Sequence, residues 1–485
     1  MPFVNCTGND TRLLGSALEN EEGKTVPDGI EVGAGRRTRA MTTALAMTGG
    51  VCVVLAWLEF LLIGQQLAVG LWVIAAAVVA IALVRASSAG KRVAVGTSLG
   101  SVTVVAQAAW LVTGIHALWV TTLTATIALG FFLLATAWAG RSEASTRRAA
   151  TAIPAGFAAV VALVVSAVVV STAASPAPLV RSLHALGQSN SFEPDAQSAT
   201  TMVDGARLTN DIEYGSTLPN SFLDIYIADD DPSVGRPTYI TVHGGGWIVG
   251  DKTDGAPSTD SGGASWAGPM LDAGYNVVSV NYAFAPSYRF PTQTIQLGQA
   301  MQFLQTNADR YGLDMSRVVL AGTSAGGHIV GNYATVQTNS DYARALGIDP
   351  TMDRSALKAI VFESAALDVG RAGAPQSPSP SNGFFFDVAA RSYLDTTDTA
   401  LLARANVIDN VTADFPPSFI SDGNTGTFPD QAAELSAELD RVGVANRLNL
   451  YSKNEARLDH SFMSVDSQWT DDYNRLKLAF LRDIV

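Results

Sequence analysis

The sequence predicts two structural parts, a bundle of membrane-spanning helices followed by an α/β domain built on a mainly parallel sheet. Of the 485 residues, 48% are hydrophobic and only 15% are charged. Residues 41–173 hold little of that charge, whereas the chain after residue 176 carries most of the acidic groups behind the net charge of -13. In this second part short β-branched segments alternate with longer helical patterns, which is typical of a parallel sheet covered by helices.

The apolar first part divides into about five runs, each long enough to cross a bilayer, which takes about 20 residues. Basic residues flank alternate breaks between these runs, and the remaining breaks have neither lysine nor arginine. By the positive-inside rule, the N-terminus is then cytoplasmic and the chain after the fifth run lies outside the membrane. The predicted spans are residues 41–63, 67–84, 93–112, 117–139 and 152–173.

Changes of composition divide the rest of the chain. Residues 1–35 are polar, glycine-rich and acidic, which predicts a disordered cytoplasmic tail. Residues 36–175 form the predicted transmembrane domain, and residues 176–215 a linker that begins in a Pro-rich segment. Residues 216–485 are sufficient for one large core. Within them, residues 369–395 combine a Pro/Ser stretch with three phenylalanines and predict a cap insertion over the site.

Charge and cysteine content exclude several classes of function. A strongly acidic chain is a poor partner for nucleic acid, because phosphate binding needs a basic surface. Cys6 lies in the polar tail and Cys52 in an apolar run, so neither a disulfide framework nor a cysteine-based metal site is expected. We expect no metal and no cofactor. The expected partners are the lipid bilayer and a small-molecule or lipid ester.

Seven strands and four longer helices are predicted in the second part. The strands are residues 222–228, 238–243, 276–282, 317–322, 358–364, 418–423 and 447–452, and the helices are residues 292–311, 325–336, 429–442 and 469–481. Ligands of open parallel sheets bind beyond the carboxyl ends of the strands. Two glycine-rich motifs follow predicted strands at such ends.

The first motif, YITVHGGGWIVGDK at residues 239–252, sets three glycines directly after a strand. Each glycine costs backbone entropy, so the segment 244–246 is either a wide surface turn or a place where an oxygen atom must approach backbone N–H groups. The second motif, residues 322–326, reads Gly-Thr-Ser-Ala-Gly. It has the G-x-S-x-G spacing of a nucleophile elbow, a sharp strand-to-helix turn that exposes the hydroxyl of Ser324.

With these motifs the chain resembles the α/β-hydrolases of the hormone-sensitive-lipase-like esterase group over most of residues 220–485. The resemblance rests on VHGGGWIVGDK, on VNYAFAPSYRFPT at residues 280–292, on RYGLDMSRVVLAGTSAGGH, and on LDHSF near the C-terminus. It implies an α/β-hydrolase fold, with helices on both faces of the sheet and a small cap. It also implies hydrolysis of carboxylic esters.

A serine nucleophile needs a base to accept its proton. His460, after the last predicted strand, is the candidate base for Ser324, since the other four histidines lie in or near the membrane part, in the glycine motif, or on the helix after the elbow. The order of serine and histidine along the chain agrees with the fold. The resemblance implies an oxyanion hole made by the N–H groups of Gly245, Gly246 and Ala325. We expect the remaining residues of the glycine motif to support this loop: His243, Gly244 and Trp247.

Serine and histidine are completed to a catalytic triad by an acid. The sequence offers three candidates for this acid. In the family it follows the strand that here reads SFISDG, and a gap-free alignment sets Gly426 at its place. Asp430, four residues further on, is the first candidate, with Asp422 at the strand end and Asp368 as alternatives. Asp430 would also suit the first turn of a helix begun by Pro429, where a carboxylate stabilises the helix dipole.

The sequence therefore predicts a membrane-anchored serine carboxylesterase or lipase-like hydrolase that acts outside the cytoplasmic membrane through an acyl-serine intermediate. An envelope lipid or an acylated sugar is the expected kind of substrate, on the ground of location. Two alternatives remain. One is an acyltransferase that uses the same acyl-serine, and the other is a non-catalytic binding or sensing protein whose triad has lost its acid.

Overall fold

The computed structural model describes residues 175–187, 200–203, 205–228, 235–254, 267–372, 380–396 and 398–485, together with isolated helical positions between residues 98 and 125. The predicted cytoplasmic tail and nearly all of the predicted transmembrane domain lie outside these residues. Among the residues that are described, none of the helices combines the length and the apolar character needed to cross a bilayer. The five spans therefore stay a prediction.

A nine-stranded sheet forms the centre of the described chain, in the order β1-β2-β3-β5-β4-β6-β7-β8-β9. Strands β4 to β9 run parallel to one another. Beyond β5, strands β3, β2 and β1 extend the sheet with antiparallel pairing. The strands are β1 Thr200–Val203, β2 Ala206–Glu213, β3 Phe222–Ile227, β4 Pro237–Val242, β5 Asn276–Val280, β6 Asp314–Thr323, β7 Leu357–Glu363, β8 Ser418–Asp422 and β9 Asn446–Leu450.

Helices cover both faces of this sheet. The α-helices are α1 Ala177–Ala185, α2 Gly268–Asp272, α3 Thr292–Thr306, α4 Ala308–Tyr311, α5 Ala325–Thr338, α6 Ser340–Leu346, α7 Pro380–Leu394, α8 Thr399–Ala405, α9 Pro429–Val442 and α10 Gln468–Arg482. Short 3-10 helices occupy Arg354–Ala356, Val369–Arg371, Ile408–Asn410 and Phe462–Ser464.

Side chains of the central strands alternate between two cores, one on each face of the sheet. Along β4, Ile240 enters the larger core and Tyr239 the smaller one. Every residue of β5 is buried, which is why these strands read as continuous apolar runs. Helices α3, α5 and α9 close the larger core, and α2 and α10 close the smaller one.

The register of the sheet brings the two sequence motifs together. Val242, the last residue of β4, lies opposite Gly322 of β6. Because both strands are parallel, the glycine loop after β4 and the elbow after β6 emerge side by side at the same edge. The end of β8 reaches this edge as well, since Glu363 of β7 pairs with Ser421.

The seven predicted strands and four predicted helices are all present, and the parallel α/β fold class is confirmed. The helix predicted over residues 292–311 is divided at Asn307 into α3 and α4. Residues 369–395 contain a 3-10 turn and α7, whose Ala389 packs against the glycine loop. The cap predicted there is thus largely one helix in the described residues.

The predicted linker, residues 176–215, differs from the structure, which contains α1, β1 and β2 in this region. The residues of β2 are largely polar, so the sequence does not predict this strand. Lys252, from the glycine motif, forms buried ion pairs with Asp211 at 2.8 Å and Asp224 at 2.9 Å. A buried cation needs such partners, and these contacts tie the edge strands to the loop after β4.

Candidate active site

Ser324 occupies a strained turn between β6 and α5. Its backbone has φ 54° and ψ -114°, a region that costs a non-glycine residue of order 1–3 kcal/mol. The N–H of Ser324 donates to the carbonyl of Glu363 at 2.8 Å, which ties the turn to the end of β7. The side chain is 7% exposed at the edge of the sheet.

Two glycines make this turn sterically feasible. A Cβ added at Gly322 would lie 2.4 Å from the backbone of Gly326, and one added at Gly326 would lie 2.0 Å from the carbonyl oxygen of Val242. Neither space admits a methyl group. The G-x-S-x-G spacing is therefore required by the close approach of α5 to β4 and β6.

His460 meets the serine hydroxyl. Its Nε2 lies 2.9 Å from Ser324 Oγ, within the range in which a base accepts a proton. The rings of Phe386 and Phe428 surround the imidazole, with centroids 4.9 and 5.5 Å away. Burial lowers the pKa of His460 to about 4, so the imidazole is neutral near pH 7 and able to take up a proton.

The loop that carries His460 is fixed to the loop after β8. The Asn424 side chain donates to the carbonyls of Tyr451 and Ala456 and accepts from the N–H of Leu458. A Cβ at Gly423 would meet the carbonyl oxygens of Leu458 and Asp459 at 2.6 and 2.5 Å. These contacts set the imidazole over the elbow.

The other imidazole nitrogen contacts a threonine. Nδ1 of His460 lies 2.8 Å from Oγ1 of Thr427. The Thr427 hydroxyl donates to Oδ1 of Asp422 at 2.5 Å. That carboxylate also accepts from the N–H of Gly423 at 2.7 Å and of Phe428 at 3.0 Å. Both Asp422 and Thr427 are completely buried.

The first sequence candidate for the acid, Asp430, lies elsewhere. It occupies the first turn of α9 and faces Arg371, 3.7 Å away. No hydrogen bond joins it to His460 among the described residues. Asp368 also binds Arg371, at 2.6 Å. Of the three carboxylates, Asp422 is the one that the described hydrogen bonds connect to the imidazole, through Thr427.

The glycine loop lies directly against the elbow. A Cβ at Gly244 would be 3.3 Å from Cβ of Ser324. Gly245 and Gly246 have φ of 99° and 60°, and a Cβ at Gly245 would lie 2.0 Å from the Val249 carbonyl oxygen. Within the described chain, no acceptor takes a hydrogen bond from the N–H of Gly245, Gly246 or Ala325. These donors are available to an oxygen of a substrate.

Aromatic residues support this loop from behind. The ring of His243 stacks on Tyr282 at 4.3 Å, and its Nδ1 lies 2.8 Å from the carbonyl oxygen of Gly244. The hydroxyl of Tyr282 donates to the same carbonyl at 2.9 Å. Trp247 stacks on Tyr393 of α7 at 4.4 Å. His243 and Trp247 therefore pack behind the glycine loop.

Strand order, a serine elbow after the central strand β6, and a glycine loop after β4 occur together in one fold. This is the α/β-hydrolase fold. A search of family models matches the BD-FAE family over residues 223–439, which covers β3 through most of α9 and therefore includes the glycine loop, the elbow and Thr427.

Known proteins similar to the chain carry the names of an esterase, an ethyl acetate hydrolase and a deacetylase. Esterase LipC of Mycobacterium tuberculosis is 25% identical over 217 residues, 44% of this chain and 49% of that protein. The ethyl acetate hydrolase of Pseudomonas putida is 25% identical over 244 residues, 49% of this chain and 70% of that protein. The arylacetamide deacetylase of Mus musculus is 36% identical over 107 residues, 22% of this chain and 26% of that protein. The match thus spans about half the length of the first of these relatives.

Among solved structures, esterase B from Lactobacillus rhamnosis is 20% identical, with a TM-score of 0.49, and the match covers 65% of this chain and 94% of that one. The thermostable carboxylesterase EstE1 from a metagenomic library is 18% identical, with a TM-score of 0.43, over 64% of this chain and 94% of that one.

Sequence reasoning missed Thr427, and although it predicted a cap over residues 369–395, it did not predict the contact of that segment with His460. Thr427 directly follows Gly426, the residue at the family's acid position, and that adjacency was the one available signal. Phe386 of α7 packs on His460. This contact joins two segments that are far apart in the chain, so no local pattern indicates it.

Proposed function

We propose that the chain is a serine ester hydrolase that cleaves carboxylic esters through an acyl-serine intermediate. Ser324 Oγ attacks the ester carbonyl carbon while His460 Nε2 takes its proton. The tetrahedral intermediate then releases the alcohol, which receives that proton from the imidazolium. Water, deprotonated by His460, attacks the acyl-serine, and the carboxylic acid leaves as the hydroxyl of Ser324 is restored.

The observation that carries this proposal is the 2.9 Å contact between Ser324 Oγ and His460 Nε2. It joins a nucleophile on a strained turn to a neutral base held by a separate loop. A serine with only a structural role has no need of backbone strain. The contact supports an activated hydroxyl and speaks against a role in binding alone.

The glycine loop supports the same chemistry. In the attack, negative charge develops on the carbonyl oxygen, and backbone N–H groups held in advance stabilise it. The unpaired N–H groups of Gly245, Gly246 and Ala325 are proposed to do this. In enzymes of this kind the loss of one such donor costs about 2.7–4 kcal/mol of transition-state stabilisation. The esterase names of the similar proteins agree with ester hydrolysis.

Short-chain p-nitrophenyl ester turnover and fluorophosphonate labelling test this function. In the full chain, Ser324→Ala is expected to abolish labelling and to lower kcat by on the order of 10⁴-fold or more. Ser316→Ala, at an exposed position near the start of β6, is the matched control and should retain both signals. Labelling that persists in Ser324→Ala would falsify the assignment of the nucleophile.

We further propose that the hydrolase is anchored in the membrane and acts outside it, on acyl esters of an envelope lipid or sugar. The support is the set of apolar runs before residue 174 and the basic residues between them. Incubation of the purified chain with extracted envelope lipids should release fatty or acetic acid, detected by mass spectrometry. An absence of release by an enzyme that cleaves p-nitrophenyl esters would contradict this substrate class.

A further inference from the structure

The hydrogen bonds at Thr427 have a definite direction. A threonine hydroxyl has one proton to donate, and an ionised carboxylate can only accept. Because the Thr427 hydroxyl donates to Asp422, its oxygen can serve His460 only as an acceptor. The proton of the bond between them, which spans 2.8 Å, then belongs to Nδ1 of the imidazole.

This direction decides the tautomer of His460. With a proton on Nδ1, the Nε2 lone pair faces Ser324 Oγ across 2.9 Å. That is the tautomer a general base requires. In the ordinary triad a carboxylate on Nδ1 enforces it directly. In this chain the family's acid position is Gly426, which has φ 59° and no side chain.

We propose that Thr427 and Asp422 together replace the absent acid, with the Thr427 hydroxyl as a bridge through which the Asp422 carboxylate orients the imidazole of His460. The inference rests on the proposed ester hydrolysis and names two positioning residues for it. Neither touches the reacting atoms. No proton passes along the bridge during catalysis, since Thr427 accepts from the imidazolium and continues to donate to Asp422.

The bridge also makes activity depend on the ionisation of Asp422. When Asp422 takes up a proton from solvent, its carboxyl group becomes a donor and the Thr427 hydroxyl is released to donate to Nδ1. The imidazole proton then moves to Nε2, where it faces Ser324 and cannot accept the serine proton. Protonation of a buried carboxyl group thus switches the base to its unproductive tautomer.

The surroundings of Asp422 place this switch near neutral pH. Burial raises the pKa of Asp422 to about 7, against the hydrogen bonds from Thr427, Ser364 and two backbone N–H groups. Charged groups on the neighbouring elements are paired elsewhere: Glu363 with Lys477, Asp430 with Arg371, and Asp459 with Arg457. Above pH 7 the carboxylate is ionised and the bridge is productive. Below pH 7 that orientation is progressively lost.

The first test compares steady-state rates of full-length variants. Thr427→Val removes the hydroxyl and Asp422→Asn removes the charge, and each should lower kcat by at least about 100-fold at pH 8 with a smaller change in KM. Thr427→Ser restores the hydroxyl and should stay within about 5-fold of wild type. Thr335→Val deletes a buried hydroxyl bound to the Gly331 carbonyl and controls for lost stability. Rates within 5-fold of wild type in Thr427→Val would overturn the bridge.

The pH profile separates orientation from structural support. For the wild type, kcat/KM should rise with pH through an apparent pKa of about 7, the value given by buried Asp422. In Asp422→Asn the residual activity should titrate with His460 alone, near its lowered pKa of about 4. A variant that is merely less stable would keep the rise of kcat/KM near pH 7, and that outcome contradicts the proposal.

A second measurement does not depend on catalysis. In the full chain labelled with ¹⁵N-histidine, the His460 resonances, assigned by their loss in His460→Gln, should report a proton on Nδ1 at pH 8. They should shift toward the Nε2–H tautomer below pH 7. A tautomer that stays constant from pH 5 to 8 would refute the switch. If Ser324 proves inactive while the tautomer shifts as expected, the hydrolase assignment fails and the bridge stands.

Discussion

At Ser324 a strained backbone accompanies the contact of the side-chain hydroxyl with His460. The positive φ of 54° is stable only because the packing around the turn admits no alternative. Glycine at 322 and 326 supplies the space, and the N–H bond to Glu363 fixes the turn. The G-x-S-x-G spacing in the sequence therefore reflects the lack of space for a Cβ atom at residues 322 and 326.

Closeness in sequence to the family's acid position does not place a carboxylate beside His460. Asp430 lies 3.7 Å from Arg371, which also forms ion pairs with Asp368 and Glu434. Burial raises the pKa of Asp430, and no described contact links it to the imidazole. A carboxylate close in sequence to the family position is thus part of a surface ion-pair network.

Asp430→Asn is expected to change kcat/KM for p-nitrophenyl butyrate by less than about 3-fold, because the amide leaves the bridge between Thr427 and His460 unchanged. The loss of one partner in a partly exposed network should lower the free energy of unfolding by at most about 1 kcal/mol. Both are read from Michaelis–Menten kinetics and urea unfolding of the same preparation. A 100-fold loss of activity would instead identify Asp430 as the acid.

Among the secondary-structure elements, α1 has a role that its position before the sheet does not suggest. Val180 is 1% exposed and belongs to the larger core. His184 Nε2 lies 2.7 Å from the carbonyl oxygen of Ile248, in the loop that follows Gly246. The helix therefore packs against the back of the glycine loop, directly after the last predicted span.

Val180→Ala should lower the free energy of unfolding by about 1.5–3 kcal/mol, since it removes two buried methyl groups from a packed contact. Leu186→Ala, at a side chain that is 74% exposed, is the control and should cost less than about 0.5 kcal/mol. Tryptophan fluorescence during urea unfolding of the full chain gives both values. Equal costs for the two variants would mean that α1 does not dock in solution.

For the whole molecule, the proposed function depends on a membrane topology predicted from the sequence. The predicted spans lie outside the described residues, apart from a few helical positions between residues 98 and 125. The proposed topology places the N-terminus inside and residues 176–485 outside. Both ends of the chain are then distinguishable by access from outside the cell.

The full chain is expected to stay in the membrane fraction after a carbonate wash, because several apolar spans bind lipid far more strongly than a surface contact does. A C-terminal tag should be digested by protease added to intact spheroplasts, and an N-terminal tag should be protected. An impermeant fluorophosphonate should label Ser324 in intact cells, with Ser324→Ala as the blank. Protection of the C-terminal tag would reverse the topology.

Much of the fold was readable from the sequence because its signals are local. Buried parallel strands are continuous apolar runs, and α9 begins at Pro429 and ends before Gly443, as the breakers predict. Strand β2 was not predicted, since its sequence is largely polar and one of its residues, Asp211, is paired with Lys252 from a distant loop. A pairing between segments far apart in sequence leaves no periodic pattern to read.

The sequence by itself predicted the G-x-S-x-G turn, the glycine loop and the candidate base, because each lies in a short motif whose residue types reflect local backbone geometry. The tertiary structure alone decided which carboxylate faces the imidazole. That choice depends on the closing of the β8 loop against the loop of His460, which buries Asp422 behind Thr427 and turns Asp430 toward Arg371. Such an arrangement is a property of two packed loops, and no single segment encodes it.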